Sequence, residues 1–449
     1  MMDDILREAA DRATAYLDGI ETRHVFPSGT AIGRLTELGG KLPDAPMSAE
    51  KVLELLDEIG SPATVTSAGG RYFGFVVGGT FPVALAANWL AAAWDQNAMS
   101  SISSPVAAKV EEIVIPWLLE LLQLPGDCAG ALVTGAMMAN FTALAAARHS
   151  VLRKHGWDAE ADGLSGSPPV SVVVSEQAHP TLLKAAGLLG FGQRRLIRVP
   201  VDEQGRILPE ALPSISGPTI ICIQAGNVNT GAFDPAEEIC RRAKAAQAWV
   251  HVDGAFGLWA AAALTRHHLT AGIADADSWA TDAHKWLNVP YDSGLAFVRD
   301  RQSLQAAMIP PVTYLPQGEC REPWKYTPEA SRRARGIEIW AALRFLGRSG
   351  VADLIERTCG YATRFANGLR QGGCTILNEV VLNQVLVSFG SEDKTKRVLK
   401  AVQEDGTCWC STASWHGQTV MRISVSSWAT TEHDVDRSLS TILRVAAEC

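Results

Sequence analysis

The chain has 449 residues, 47% of them hydrophobic and 20% charged, with a formal net charge of -8. That length supports a large core in two or three domains, and an acidic balance without any Lys/Arg run excludes nucleic acid as an expected partner. The longest apolar runs, such as FPVALAANWLAAAW from Phe81 to Trp94, stop short of the ~20 residues a membrane span requires.

The first residues, MMDDILREAADRATAYLDGI, are acidic and amphipathic. They lack the charged-then-apolar pattern of a signal peptide, so the expected location is cytoplasmic. Residues 1–70 read as an N-terminal helical segment. Within it, SAEKVLELLDEIG is a helix for which Ser48 suits the N-cap.

Residues 71–312 alternate helices with short β-rich runs. VAAKVEEIVIPWLLELLQL reads as a long amphipathic helix with a proline inside it. GALVTG, VSVVVS, RLIRVPV, TIICIQAG, AWVHVDGAF and SGLAFVRD read as strands, several of them apolar throughout, as fits strands buried on both faces. Between them NFTALAAARHSVLRKHG, TLLKAAGLLG and PAEEICRRAKAAQ read as helices. Such alternation predicts an α/β fold with a mostly parallel central sheet, whose ligands collect at the carboxyl ends of the strands. Residues 313–449 read as a smaller α+β C-terminal domain. It has a helix through RGIEIWAALRFLGRSG, strands at QVLVSFG and VMRISVSS, and a closing helix capped by Thr430 or Thr431.

Nine cysteines lack disulfide-like spacing, and ten histidines lack metal-ligand spacing, so no metal site is expected. Cys408 and Cys410 form a lone C-W-C that reads as two core thiols.

Chemistry concentrates in ADSWATDAHKWLNVPYDSG, from Ala276 to Gly294, where Lys285 lies between His284 and Trp286 with Asp277 and Asp282 nearby. A lysine on a loop usually keeps its head in water. A partly desolvated one is instead a nucleophilic amine that condenses with an aldehyde to a Schiff base. Were that aldehyde pyridoxal phosphate, a carboxylate beside the ring nitrogen would keep it protonated. Asp253 closes the apolar strand AWVHVD and is placed for that, or for capping the next turn; Gly254 and Ala255 leave room for a flat ring. A phosphate takes backbone donors at a helix N-terminus. The turn Thr134-Gly135-Ala136-Met137 offers them, with Asn140 expected in the first helical turn, although short glycine turns between strand and helix are common. His179, between a strand and a helix, is either a stacking partner for the ring or a plain helix-start histidine.

These four features in this order resemble the group II pyridoxal-phosphate-dependent amino-acid decarboxylases, which include the aromatic-L-amino-acid, histidine, glutamate and 2,4-diaminobutyrate decarboxylases. DSWATDAHKWLNVPYDSG is similar to the family's D-S-x-x-x-x-x-H-K-W block, HVDGAF to H-V-D-A-A-[YF], and SEQAHPTLLKAAGLLG to S-x-x-x-H-x-S. The likeness runs from RYFGFVVGGTFP to MRISVSSWATTEHDVDRSL. It implies fold type I, the aspartate aminotransferase-like fold, and a homodimer with the active site between subunits. It implies Lys285 as the Schiff-base lysine, His284 as a neighbour of the phosphate, and His179 and Asp253 as partners of the ring. PPVTYLPQG resembles the mobile catalytic loop, whose tyrosine, here Tyr314, returns a proton after CO₂ is lost; relatives that make aldehydes commonly carry phenylalanine there. The expected reaction is decarboxylation of an L-amino acid to its amine. Aldehyde formation with oxygen, aldolase-type cleavage, transamination or an inactive homologue are the alternatives.

Two departures stand out. The family usually reads T-[SP]-G-G-[ST] at the phosphate turn, whereas this chain has V-T-G-A-M, so Met137 replaces a hydroxyl and cannot donate to phosphate. Asp282 stands where relatives often have Asn or Ser. The stretches from Phe73 to Thr80 and from Asn97 to Ser101 are expected to line the substrate pocket. They are mostly apolar or small and offer no arginine, which leans toward an aromatic or otherwise apolar side chain.

Overall fold

A computed structural model describes residues 2–309 and 321–449. After a two-residue strand, β1 (Tyr72–Phe73), the chain builds its larger sheet from β2 (Ala129–Val133), β3 (Ser171–Ser175), β4 (Ile197–Val199), β5 (Thr219–Gln224), β6 (Trp249–Asp253), β7 (Ser278–Asp282) and β8 (Gly294–Val298). The order is β2-β8-β7-β6-β5-β3-β4. β8 runs antiparallel to both neighbours and the remaining pairs are parallel, as the alternation of strands and helices predicts.

Period-two alternation decides which core each side chain enters. On one face Val173, Ile221, Ile223, Val250, Val252 and Trp279 join the larger core. On the other Val172, Val174, Ile220, Cys222 and Trp249 pack with the alanine-rich helix Ala136–Arg153. Both faces are thus dry, which explains why β5 and β6 are buried at every position. Because β2 and β5 to β7 point the same way, Val133, Gln224, Asp253 and Asp282 end on one edge of the sheet.

The smaller sheet contains β9 (Thr375–Ile376), β10 (Gln384–Ser388), β11 (Trp409–Trp415) and β12 (Gln418–Ser424), ordered β1-β11-β12-β10-β9. β1 pairs with the start of β11, so the chain's first strand joins the C-terminal sheet. Cys408 and Cys410 are both buried there as thiols. Thr431 caps the last helix, Glu432–Glu448, in a reciprocal box with Asp434. Ser48 accepts the Lys51 N–H at 3.3 Å, as an N-cap should.

Besides β1, β9 and β11, which the sequence reading did not name, two elements differ from it. β7 was not foreseen, because SWATD mixes small, polar and aromatic residues; pairing on both sides makes it a strand. The helix expected to stop in GRSG instead runs from Gly336 to Gln371, broken at Gly347 where φ is 58°. It resumes because Val351, Leu354, Ile355 and Cys359 bury against the main core. Pro116 does lie inside the helix Pro105–Leu121. Among the described residues no helix is long and apolar enough to cross a membrane.

Candidate active site

Lys285 sits in the loop between β7 and β8, and that loop is held from several sides. Trp286 is buried and its indole N–H donates to Thr358 Oγ1 at 2.9 Å. Asn288, in the left-handed region at φ 54°, donates from its amide to the carbonyls of Trp286 and Ser426, while its Oδ1 accepts the N–H groups of Gly79 and Trp428. A Cβ on Gly78 would lie 1.8 Å from the Lys285 carbonyl oxygen, so only glycine permits this approach. The backbone that carries the amine is therefore fixed by both domains' strand ends and by the Gly78-Gly79 turn.

The amine itself faces a carboxylate: Lys285 Nζ is 3.1 Å from Asp282 Oδ2. Asp282 ends β7, buried, and its Oδ1 accepts the Ala136 N–H at 2.5 Å. Ala136 opens the helix that follows the Thr134-Gly135 turn, so a negative side chain already caps that N-terminus. His284 Nδ1 accepts the Ser293 N–H at 3.0 Å, which turns Nε2 toward Asp282 Oδ1 at 3.5 Å, and its ring lies 4.3 Å from that of Tyr291. Burial pushes the His284 imidazole below its ordinary value, against the pull of Asp282.

Asp253 ends β6 and is buried, with Oδ1 taking the Ala255 N–H at 3.3 Å. Ala255 in turn accepts the Asp282 N–H, stitching the ends of β6 and β7 together. Burial pushes the Asp253 carboxyl up, opposed by His179 and Lys285. His179 caps the helix Pro180–Leu188 and shares a 2.7 Å hydrogen bond between Nδ1 and Thr181 Oγ1. Burial pushes its imidazole down, opposed first by Asp253. The amine, the imidazole and the two carboxylates thus act on one another at a single edge of the sheet.

Thr134, Gly135, Ala136, Met137, His179, Asp253, Ala255, His284 and Lys285 all lie at that edge: Asp253 at the end of β6, Ala136 and Met137 at the start of the helix after β2, and the others in the loops and turns after β2, β3, β6 and β7. Asn140 needs a correction. It is the fifth residue of its helix, in the second turn, and it is buried. Its Oδ1 bonds His251 Nε2 at 2.8 Å, and His251 Nδ1 meets Ser278 Oγ at 2.9 Å. Burial holds that histidine near neutral, its value pushed down to about 3. Tyr314 lies outside the described residues.

Three participants escaped the sequence reading. Asp282 was noticed as a carboxylate near Lys285 and as a departure from a pattern, but was given no role in the site. Asn288 and Gly78 showed no chemistry of their own, and only the fold puts them against the lysine loop. A fourth group, Arg422 on β12, is buried with burial lowering it to about 10. Its Nη1 donates to Asn229 Oδ1 at 3.1 Å, and it has no carboxylate partner among the described residues. Its charge is one of those that lower His179.

These residues fit pyridoxal phosphate at three points. A buried carboxylate ends the central strand, an amine stands one strand over, and a helix N-terminus opens beside both. Gly254 serves packing rather than the ring expected beside it, since a Cβ there would come within 2.8 Å of Leu258 Cβ. The phosphate end fits less well, because Met137 offers no side-chain donor and Asp282 brings a negative charge.

The sequence matches the family described as "Pyridoxal-dependent decarboxylase conserved domain" over residues 34–390. It is 25% identical to tryptophan decarboxylase 1 of Oryza sativa subsp. japonica, over 99% of this chain and 94% of that protein. It is 31% identical to the L-2,4-diaminobutyrate decarboxylase of Rhizobium meliloti (strain 1021), over 74% of this chain and 68% of that protein. The fold superposes on the crystal structure of Oryza sativa TDC with PLP and tryptamine with a TM-score of 0.92, at 22% identity, covering 100% of this chain and 98% of that one. The match across most of the chain and the fitting strand-end residues lead to one conclusion: the chain belongs to the pyridoxal-dependent decarboxylases, and is a pyridoxal-phosphate-dependent carboxy-lyase acting on an amino acid.

Proposed function

We propose that the chain converts an L-amino acid with an aromatic or otherwise apolar side chain to its amine and CO₂. The observation that carries this reading is the meeting of Lys285, His179 and Asp253 at one sheet edge, where each shifts or steadies the charge of another. Pyridoxal phosphate, when bound, supplies the electron sink for the pair released with CO₂. Lys285 holds the cofactor, and Asp253 keeps its ring nitrogen protonated, since a neighbouring anion favours the cation. His179, neutral and tied through Nδ1 to Thr181, presents a flat ring and leaves Nε2 without a hydrogen bond among the described residues. The Ala136 and Met137 N–H groups open the helix N-terminus toward the phosphate, and His284 stands beside it. Tyr314 returns the proton at Cα. The apolar preference is supported by the tryptophan decarboxylase likeness; Phe73 and Val76, expected to line the pocket, are instead packed into the cores, Phe73 edge-on against Phe365.

Arg422 favours a second reading of substrate. A buried guanidinium without a carboxylate partner suits a substrate anion, so an acidic side chain belongs in any substrate test.

The test is a panel of L-amino acids, acidic and aromatic, followed for CO₂, amine and aldehyde by mass spectrometry with parent and Tyr314→Phe. The parent forms amine in step with CO₂. The variant makes amine roughly 10²-fold more slowly, the scale of a lost general acid. It diverts turnover to aldehyde, ammonia and hydrogen peroxide at the expense of oxygen. A variant with unchanged amine output would remove Tyr314 from the mechanism, and turnover without CO₂ would move the parent to the aldolase or transaminase readings.

A homodimer is part of the proposal. The helix Pro82–Trp94 leaves Trp89, Leu90 and Trp94 exposed by 42%, 55% and 45%, and Ile102 in the following loop by 72%. Apolar exposure on this scale is unusual for a monomer surface. Sedimentation at micromolar concentration is expected to give twice the chain mass of 48.1 kDa, and a monomer there would count against an intersubunit site.

A further inference from the structure

Asp282 does more than depart from a pattern. Three positive or donating groups converge on its two oxygens: the Ala136 N–H at 2.5 Å, the Lys285 ammonium at 3.1 Å and His284 Nε2 at 3.5 Å. The Ala136 N–H is one of the unpaired donors of a helix start, the group that a phosphate takes in an anion site. Its neighbour in the same turn, Met137, offers no side-chain donor to a phosphate. Space is short as well, since a Cβ on Gly135 would lie 3.5 Å from Asp282 Oδ1 and 3.3 Å from His284 Cε1. The chain has therefore tied a carboxylate of its own to the helix N-terminus and the reactive lysine.

We propose that Asp282 is a resident anion of the cofactor's phosphate site, competing with the phosphate for the Ala136 N–H. The proposal rests on the cofactor reading above and deepens it. Two anions cannot both be fully served by one donor, and like charges at this range oppose each other's ionised forms. Unlike a bound buffer ion, the carboxylate cannot leave, because β7 carries it. Two consequences follow. The cofactor-free site is already shaped, with the helix start capped and the amine held. The site also discriminates weakly between pyridoxal phosphate and pyridoxal, because the phosphate would meet a like charge. A neutral residue of the same shape reverses the second effect: an asparagine can still accept the Ala136 N–H through its carbonyl while its amide donates to phosphate.

The experiment measures dissociation constants of pyridoxal phosphate and of pyridoxal for the full chain stripped of cofactor, and for Asp282→Asn, by absorbance titration. Thermal melts with and without inorganic phosphate accompany it. The variant is expected to bind pyridoxal phosphate about tenfold more tightly, one like-charge contact at partly screened dielectric being ample for that, while pyridoxal affinity moves by less than about twofold. Inorganic phosphate should raise the melting temperature of the variant more than that of the parent. Equal gains for both ligands would show that Asp282 acts through Lys285 and would overturn the proposal, as would unchanged or weaker binding of the phosphorylated form. If Asp282→Asn does not fold, Asp282→Ser carries the same expectation. Failure of the parent and both variants to bind pyridoxal phosphate at all would remove the cofactor reading, and this inference with it. A parent that binds, with no contrast between the two ligands in the variant, sinks the inference alone.

Discussion

Lys285→Ala is expected to lose decarboxylation by ~10³-fold or more, because the positioned amine is replaced by whatever amine solution provides. The loss should come with a protein that no longer turns yellow on addition of pyridoxal phosphate. Activity and stability must be separated here, since Lys285 is also the cation 3.1 Å from Asp282 Oδ2. Removing it leaves a buried carboxylate with one donor fewer, and truncating one member of a buried pair is destabilising for that reason. The double variant Lys285→Ala with Asp282→Asn resolves the two roles. Stability should return toward that of the parent, because no uncompensated charge remains, while activity stays lost. Such non-additivity is what two groups in direct contact show. Recovery of activity in the double variant would mean that Lys285 matters only as a counter-ion, and the carboxy-lyase mechanism would need another amine.

That Lys285, His179 and Asp253 come to one edge of the sheet was legible in the sequence, because each sits where a pattern changes. Asp253 ends an apolar strand, His179 starts a helix, and Lys285 interrupts a run of small and aromatic residues. Those are local events, and local events survive in a linear string. What was not legible depends on contacts across long stretches of chain. Gly78 touches Lys285, and Asn288 joins Gly79 to Trp428, yet neither pairing leaves a periodic trace. Strand β7 was missed for a related reason: SWATD becomes a strand because β6 and β8 flank it, not from propensity. Asn140 was placed one turn too early because a helix start was inferred from the glycine turn without its first residue being known. Once Ala136 is the first residue, Asn140 lies against His251 on the covered face of the sheet.

Asp253→Asn is the prediction that best separates catalysis from scaffolding, because its effects on activity and stability should have opposite signs. An amide cannot keep the cofactor's ring nitrogen protonated, so decarboxylation should fall by ~10²–10³-fold, the cost of losing one preorganised electrostatic partner. The fold has the reverse interest. Burial pushes the Asp253 carboxyl up, more than His179 and Lys285 pull it down. An acid with a raised folded-state value binds its proton more tightly when folded. Its contribution to stability is therefore lost as pH rises from the ordinary carboxylate range through that raised value. Asparagine has no charge to desolvate and can still accept the Ala255 N–H through its Oδ1. The cofactor-free variant should therefore match or exceed the parent's stability at pH 8, with the difference shrinking as pH falls toward the ordinary carboxylate range. Urea midpoints at several pH values measure this directly. If Asp253 were only a cap for the turn at Ala255, the variant would keep its activity whatever its stability at each pH. A large loss of activity in a protein at least as stable as its parent can be explained only by a carboxylate kept, at a cost to the fold, for the charge it faces.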